Sequence, residues 1–191
     1  GNNMLRSLGL SKSFRKSAEI LQKGKTEKIS YGTVNGDKAF FNCSLGFTSF
    51  VLQKRKTNSI AGYFYDTIRL LPSFKGSKIR FLNEEKSIDI FAGFFINTKI
   101  YMSRFKFLKV NNSESKLIFF YIKKNNIFKT IATVSLAFFG FNVYDKTEKE
   151  KYAVELDDNC ELELDGDILK FPDNNRTLII GNESYIDIIK G

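Results

Sequence analysis

Apolar residues recur at helical spacing in three segments of the chain. In the first, Phe14, Ala18 and Leu21 fall on one face, a serine precedes the segment as candidate N-cap, and Gly24 ends it. The second segment repeats apolar residues up to Pro72, where the pattern ends because proline disfavours a helical residue before it. These patterns predict helices over residues 13–23, 58–71 and 126–139.

Most of the remaining chain alternates, or is apolar in short runs bounded by turn residues, as strands are. Asn35-Gly36 predicts a hairpin between strands over residues 28–34 and 38–44, because both residues readily take the positive φ of a two-residue turn. Two more strands meet across residues 83–86. Further strands are predicted over residues 104–110, 117–123, 152–156, 160–164, 178–180 and 184–189. We therefore predict a mainly β (α+β) fold, a β-sandwich with three helices at its edges.

The composition indicates the number of domains and excludes several kinds of catalytic and metal site. A chain of 191 residues that is 42% apolar fits one domain, and no repeat or Ser/Gly-rich linker divides it. The absence of histidine excludes a histidine base, a histidine metal ligand and a Ser-His-Asp triad. Cys43 and Cys160 are too few for a zinc site or a disulfide framework, so we predict buried free thiols in a reducing compartment.

The sequence shows neither a membrane span nor a signal peptide. Its most apolar run, residues 131–143, is interrupted by polar residues and is shorter than the about 20 residues that a bilayer requires. This run is predicted to be a buried helix. We expect a cytoplasmic protein.

Thirty Lys and Arg against 21 Asp and Glu give a formal net charge of +9. Such a surface attracts nucleic acid, anionic lipid or phosphate-bearing ligands. Nucleic acid is disfavoured because no recognisable nucleic-acid-binding motif accompanies the charge. A solvated surface is the first interpretation of the basic residues, and peripheral contact with the anionic inner face of a membrane is the next.

Candidate chemistry is concentrated in Leu164-Asp165-Gly166-Asp167, which follows a predicted strand. The glycine lets the backbone turn, so that the two carboxylates converge and suit Mg²⁺, which takes one or two carboxylates together with phosphate oxygens and water. Alternatively, one aspartate accepts a hydroxyl proton while the other holds the metal. An ordinary Asp-Gly hairpin turn explains the same residues. The acidic cluster at residues 157–159 is interpreted as a solvated turn without a role.

The order of several motifs resembles the diacylglycerol kinase and sphingosine kinase-like lipid kinases, which belong to the NAD kinase/diacylglycerol kinase-like superfamily. Residues 1–9 (GNNMLRSLG) resemble the end of the family's Gly-Thr-x-Asn-Asp motif and the helix after it. Residues 41–47 (FNCSLGF) resemble a family strand and turn, and residues 164–167 (LDGD) stand where the family has Leu-Asp-Gly-Glu. Residues 63–71 and 178–189 resemble its next helix and its closing strands.

This resemblance implies a division into residues 1–27, the end of a nucleotide-binding domain with its connecting helix, and residues 28–191, a β-rich C-terminal domain on the substrate side. The implied reaction transfers the γ-phosphoryl group of ATP to the free hydroxyl of a lipid, with Mg²⁺ as cofactor. Asp165 would be the base or hydroxyl-orienting group and Asp167 the Mg²⁺ ligand. Asn2, Asn3 and Gly166 would line the nucleotide and substrate cleft.

Several departures from the family pattern limit what this chain can do alone. The Gly-Gly-Asp-Gly-Thr phosphate loop is absent, so we predict that the isolated chain neither binds ATP tightly nor transfers phosphate. Glu114-Ser115 replaces the Asp-Gly near a second Mg²⁺ site, which puts Glu114 in doubt as a ligand. A non-catalytic lipid- or protein-binding domain of the same fold is therefore the alternative. The sequence does not decide whether the protein forms a homodimer. It also leaves open whether the abundant phenylalanines accept acyl chains or pack a core.

Overall fold

A computed structural model describes residues 13–56, 59–84, 86–96, 116–138, 141, 143–171 and 176–189. The described helices are α1 (Phe14–Lys23), α2 (Phe47–Lys54), α3 (Ile60–Leu70) and α4 (Ile127–Phe138), and a 3₁₀ turn (Leu71–Ser73) follows α3. The three predicted helices are confirmed, with ends within two residues of those expected. α2 was not predicted.

Eleven strands form the rest of the described fold. They are β1 (Thr26–Val34), β2 (Lys38–Phe40), β3 (Asn42–Gly46), β4 (Ser77–Phe81), β5 (Lys86–Ile96), β6 (Leu117–Lys123), β7 (Asp145–Lys149), β8 (Lys151–Leu156), β9 (Leu162–Leu164), β10 (Asp167–Leu169) and β11 (Thr177–Ile189). The mainly β fold is confirmed. The predicted strand over residues 104–110 lies outside the described residues, as do residues 1–12, so the proposed domain division stays a prediction.

The strands join in one curled sheet, and every pairing among them is antiparallel. Its order is β10-β9-β3-β5-β4-β8-β11-β1-β2, and β6 pairs with both β5 and β7. The eleven-residue β5 is shared: its first half pairs with β4 and its second half with β3 and β6. A register shift between Ile90 and Ala92 leaves Phe91 as an extra residue against β6. Bulges of this kind bend a strand, which lets β5 serve both halves of the sheet.

The concave side of the sheet encloses the main core. Tyr152 of β8 packs there against Phe95 of β5 and Phe119 of β6, with ring centroids 5.2 and 6.1 Å away. Its hydroxyl lies 3.3 Å from the Leu117 carbonyl oxygen and 3.1 Å from the Thr147 hydroxyl. A buried tyrosine needs such partners for its O–H. Cys43 and Cys160 are buried free thiols, as predicted.

A second cluster lies on the other side of β5, where α2 and α3 pack. Phe47, Phe74 and Phe91 stack or meet edge-on with centroids 4.7 to 5.7 Å apart. Six phenylalanines are candidates for contact with acyl chains: Phe40, Phe41, Phe47, Phe50, Phe94 and Phe95. Five of them fill these clusters, Phe40 and Phe95 in the main core and Phe47, Phe50 and Phe94 in the second, whereas Phe41 is half-buried at the break between β2 and β3. Packing, rather than an open space between layers, accounts for these five side chains.

Two strand predictions need correction. The strand expected over residues 38–44 is broken at Phe41 into β2 and β3, which pair with different neighbours. The strands expected over 178–180 and 184–189 form one strand, β11, because a register shift opposite Tyr31 and Gly32 accommodates the break in the pattern. Residues 131–136, predicted to be buried, are largely exposed on α4. None of the helices within the described ranges has the length and apolar character needed to cross a bilayer.

Candidate functional site

The hairpin of β9 and β10 carries the candidate aspartates. Leu164 pairs with Asp167, so Asp165 and Gly166 form a two-residue turn with φ values of 50° and 105°. Positive φ at both positions is the geometry of the tightest hairpins, which Asp-Gly favours. The predicted turn is therefore present, and it brings Asp165, Gly166 and Asp167 to the rim of one cleft.

Asp165 ties this turn to the point where β2 and β3 separate. Its carboxylate accepts hydrogen bonds from the backbone N–H groups of Phe41, at 2.9 Å, and Asn42, at 2.8 Å. Its own N–H donates to the Asn42 carbonyl at 2.9 Å. Desolvation raises the pKa of Asp165, the two amide bonds oppose that rise, and the charge of Asp167 adds to it. Both carboxylate oxygens are thus fixed in place.

Asp167 is the first residue of β10 and is exposed. It lines the cleft beside Gly166, on the far side of the turn from Asp165. Asp165 is exposed as well, but both of its carboxylate oxygens accept backbone N–H bonds, so Asp167 is the more available of the two for an incoming cation.

Glu163 is a third carboxylate at this cleft, and it was not among the residues predicted from the sequence. It lies in β9 opposite Ser44 of β3 and accepts a hydrogen bond from the Ser44 hydroxyl, which itself lies 3.1 Å from that of Thr48. Burial raises the pKa of Glu163, the Ser44 hydrogen bond opposes that rise, and the charge of Asp165 reinforces it. Alternation with Leu162 and Leu164 marks Glu163 only as facing away from the core, and that position usually faces solvent.

The opposite wall of the cleft comes from α2 and α3. Thr48, Leu52, Arg55 and Tyr63 line it, and they enclose a volume of about 380 Å³ with the three carboxylates. An adjoining cavity of about 570 Å³ shares Arg55 and Asp167 and extends to Phe171. Arg55 brings a guanidinium into a site otherwise dominated by carboxylates.

The connection between α2 and α3 is held by Asp66. Its carboxylate is buried and accepts from the Lys56 backbone N–H at 2.9 Å and from the Arg69 guanidinium at 2.9 Å. The Lys56 N–H bond, together with Arg69, lowers the pKa of Asp66 against the effect of burial. Asp66 thereby fixes the stretch that carries Arg55.

The other candidates lie outside the described residues. Asn2, Asn3 and Glu114 belong to this group, so the structure does not place them relative to the cleft. Among the described residues no cluster of three or more Asp, Glu, Cys or His side chains has the arrangement of a metal site. Mg²⁺ held by one carboxylate together with substrate phosphates needs no such cluster.

Comparison with known proteins rests on structure. Neither a protein-family model nor a curated protein sequence matches the chain. A crystal structure of a candidate diacylglycerol kinase from Bacillus anthracis str. Sterne aligns over 100% of the chain with a TM-score of 0.65 and 15% identity. A structure titled as a diacylglycerol kinase of the same organism aligns over the whole chain with a TM-score of 0.62 and 14% identity. The chain has the fold of these proteins.

The match covers the whole chain but only part of its neighbours. The chain spans 65% of the first diacylglycerol kinase-like structure and 63% of the second. The remaining third of those proteins has no counterpart in this chain. The fold likeness is thus to a part of those proteins and does not extend over their whole length.

Proposed function

We propose that the chain is the lipid-substrate-side domain of a diacylglycerol/sphingosine kinase-like lipid kinase, which transfers the γ-phosphoryl group of ATP to a lipid hydroxyl. The observation that carries the proposal is the Asp165-Gly166-Asp167 turn, which lines one cleft with Glu163 and Arg55 on a diacylglycerol kinase-like fold. The nucleotide site would be supplied by residues outside this domain.

In this proposal Asp165 orients the attacking hydroxyl. Two backbone amides fix its carboxylate, and each oxygen keeps a second lone pair for a substrate O–H. Positioning of this kind is the main protein contribution to phosphoryl transfer. As the hydroxyl oxygen bonds to the γ-phosphorus and the bond to ADP breaks, the hydroxyl proton passes to a cleft carboxylate, Asp165 or its neighbour Glu163.

Asp167 is the residue that would hold Mg²⁺. Its exposed position at the cleft fits an ion that is bound by one or two carboxylates and completed by phosphate oxygens and water. When bound, Mg²⁺ neutralises charge on the transferred phosphoryl group. Arg55, on the opposite wall, supplies a further positive charge toward the same space.

The test is a phosphoryl-transfer assay with labelled ATP and diacylglycerol, sphingosine or a polyprenol in mixed micelles. The chain is assayed together with a nucleotide-binding domain of a diacylglycerol kinase. Asp165→Asn is expected to lower turnover of the folded protein at least ~100-fold, as loss of a positioned acid–base group does. Asp167→Asn is expected to raise the Mg²⁺ requirement more than it lowers turnover at saturating metal. Unchanged turnover in the folded fraction of the Asp165→Asn variant would reject the catalytic assignment.

One observation favours a second candidate, a non-catalytic lipid- or protein-binding domain. Both oxygens of Asp165 are engaged by backbone N–H groups, so a purely structural role also explains this residue. This candidate predicts that lipid is retained through purification while the protein with its nucleotide-binding domain transfers no phosphate. Calorimetry with Mg-ATP on the isolated chain is expected to show no tight binding under either candidate, and micromolar affinity would mean that the nucleotide site has been misplaced.

A further inference from the structure

Helix α4 shows large apolar side chains to solvent, whereas the hydroxyl side chain of Thr130 is buried. Phe128 is 82% exposed, and Ile131 and Leu136 are 45% and 42% exposed. Thr130, by contrast, is 3% exposed, and its hydroxyl lies 3.4 Å from the Asn125 carbonyl oxygen. A surface helix of a water-soluble protein normally has the opposite arrangement, with its apolar stripe toward the core.

The apolar surface continues beyond the end of α4. Phe141 is 59% exposed, and its N–H donates to the Leu136 carbonyl at 3.1 Å, which folds this aromatic residue back onto the last turn of the helix. Large contiguous apolar surfaces mark sites of contact with a partner or a membrane. We call Phe128, Ile131, Val134, Leu136 and Phe141 the α4 apolar surface.

The charges around this surface select its partner. Residues 122–144 contain three lysines and no Asp or Glu, in a chain with a formal net charge of +9, and Lys123 forms an ion pair with Asp145 at 3.2 Å. Lys129 is exposed on α4 itself, and Lys124 lies at the start of the helix beside Gly76. A second copy docked on the same surface would bring its Lys124 and Lys129 close to the same two lysines of the first copy. An anionic bilayer supplies both the acyl region for the apolar side chains and the phosphates for the lysines.

We propose that α4 docks the domain on an anionic bilayer, with Phe128 inserted among the acyl chains and Lys124 and Lys129 at the headgroups. This inference goes beyond the proposed function, because membrane docking requires neither a nucleotide nor phosphoryl transfer. Its test uses the 191-residue chain without ATP, so the kinase proposal and the docking proposal can fail separately.

The first experiment uses tryptophan as a local probe, since the chain contains none. The Phe128→Trp variant is mixed with phosphatidylcholine vesicles that either contain or lack phosphatidylserine, and its emission is compared with that of Leu21→Trp. Leu21 is 59% exposed on α1 and serves as the matched site away from the α4 apolar surface. A blue shift is expected for Phe128→Trp with phosphatidylserine and not for Leu21→Trp. Absence of that shift overturns the proposal.

The second experiment measures partitioning by vesicle sedimentation. Phe128→Ser is expected to weaken binding to phosphatidylserine vesicles by about tenfold, the cost of losing one buried aromatic side chain, while Leu21→Ser has no such effect. Lys129→Glu is expected to weaken binding by at least ~5-fold relative to Lys25→Glu, a reversal at an exposed lysine outside α4. Equal binding of Phe128→Ser and the unchanged chain overturns the proposal. A dimer that forms without lipid and is lost in Phe128→Ser would assign the surface to a second copy, and would also overturn it.

Discussion

Asp165 holds two strand ends together through one short side chain. Its carboxylate accepts backbone N–H bonds from Phe41, between β2 and β3, and from Asn42, at the start of β3, while its own positive φ makes the turn into β10. Asparagine tolerates the same φ but offers a single carbonyl oxygen. The Asp165→Asn substitution therefore removes one of the two hydrogen bonds without changing the turn.

We expect Asp165→Asn to lower the free energy of unfolding by about 1–2 kcal/mol, because one backbone N–H loses a charged acceptor. Denaturant unfolding of the isolated chain measures this. Asp167→Asn, two residues further along the same hairpin, is the control and is expected to unfold like the unchanged chain, since its carboxylate is exposed. Equal stability of the two variants would contradict the anchoring role.

Glu163 gives the stability of the domain a pH dependence. Burial raises its pKa in the folded state, so the folded protein retains this proton at pH values where the unfolded chain has lost it. Stability therefore falls as the pH rises from the ordinary glutamate pKa through the raised one. Glu163→Gln keeps an oxygen for the Ser44 hydroxyl and carries no charge.

The expected result is that Glu163→Gln has a higher melting temperature than the unchanged chain near neutral pH, and that this advantage shrinks as the pH falls through the raised pKa of Glu163 toward the ordinary glutamate pKa. Glu150→Gln is the control, because Glu150 is exposed in the connection between β7 and β8. If Glu163→Gln melts below the unchanged chain at neutral pH, the cost of burying the Glu163 charge has been overestimated.

At the level of single residues, the sequence predicted what depends on near neighbours. The turn at Asp165-Gly166 was visible because its chemistry is local: both residues tolerate positive φ. Glu163 was not visible because its burial depends on Ser44, which is 119 residues away in the chain. A glutamate that alternates with leucines looks the same whether water or a neighbouring element covers it.

At the scale of the elements, the junction of β3 and α2 depends on Gly46. This residue has φ of +80°, and a Cβ atom placed on it would lie 2.6 Å from the Phe91 carbonyl oxygen. The chain therefore turns directly from strand into helix against the bulge of β5. Helix α2 was not predicted because it has only eight residues, and its apolar side chains lie on both sides of the helix and show no clear periodicity.

Gly46→Ala is expected to destabilise the domain more than Gly36→Ala. Both glycines have positive φ, which costs alanine about 1–2 kcal/mol, but a Cβ atom on Gly36 would have no atom within 4 Å. The difference between the two variants in thermal unfolding measures the contact with the Phe91 backbone. Equal losses would mean that β5 moves away at little cost.

The short strands β2, β3 and β10 show where pattern reasoning fails for elements. An apolar run over residues 38–44 does not reveal that it changes partners at Phe41, because Asp165 imposes that break from 124 residues away. Strand β10 has three residues and exists through pairing with β9. The long helices, by contrast, have enough turns for their periodicity to be read locally.

At the scale of the whole molecule, Tyr152 connects the two halves of the sheet. It belongs to β8, and its hydroxyl lies near the Leu117 carbonyl of β6 and the Thr147 hydroxyl of β7. Desolvation raises the pKa of Tyr152 to about 12. The hydroxyl therefore stays protonated across the physiological range and can donate throughout it.

Tyr152→Phe is expected to lower the free energy of unfolding by about 1 kcal/mol, because a buried carbonyl and a hydroxyl lose their partner while the ring packing is kept. Tyr65→Phe, at a side chain that is 67% exposed, is expected to have little effect. Equal losses for the two variants, measured by denaturant unfolding, would show that water replaces the Tyr152 hydroxyl.

The fold class could be predicted because strand number and turn chemistry are local properties. The arrangement of the sheet could not, since β1 pairs with β11 across most of the chain and β5 divides its length between two sets of partners. The sequence of residues 86–96 alone does not indicate where β5 changes from pairing with β4 to pairing with β3 and β6. The Phe91 bulge that permits it becomes evident only from the register against β6.

The shared strand β5 has a consequence for how the domain opens. Because both halves of the sheet are hydrogen-bonded to this strand, neither half can separate without breaking bonds that the other needs. Deuterium should therefore enter the backbone amides of Phe94 and Ile96 only when the entire domain unfolds, at the free energy that denaturant titration gives. The sheet would then move as one rigid body. Any movement that admits a substrate to the cleft would occur in the wall formed by α2 and α3.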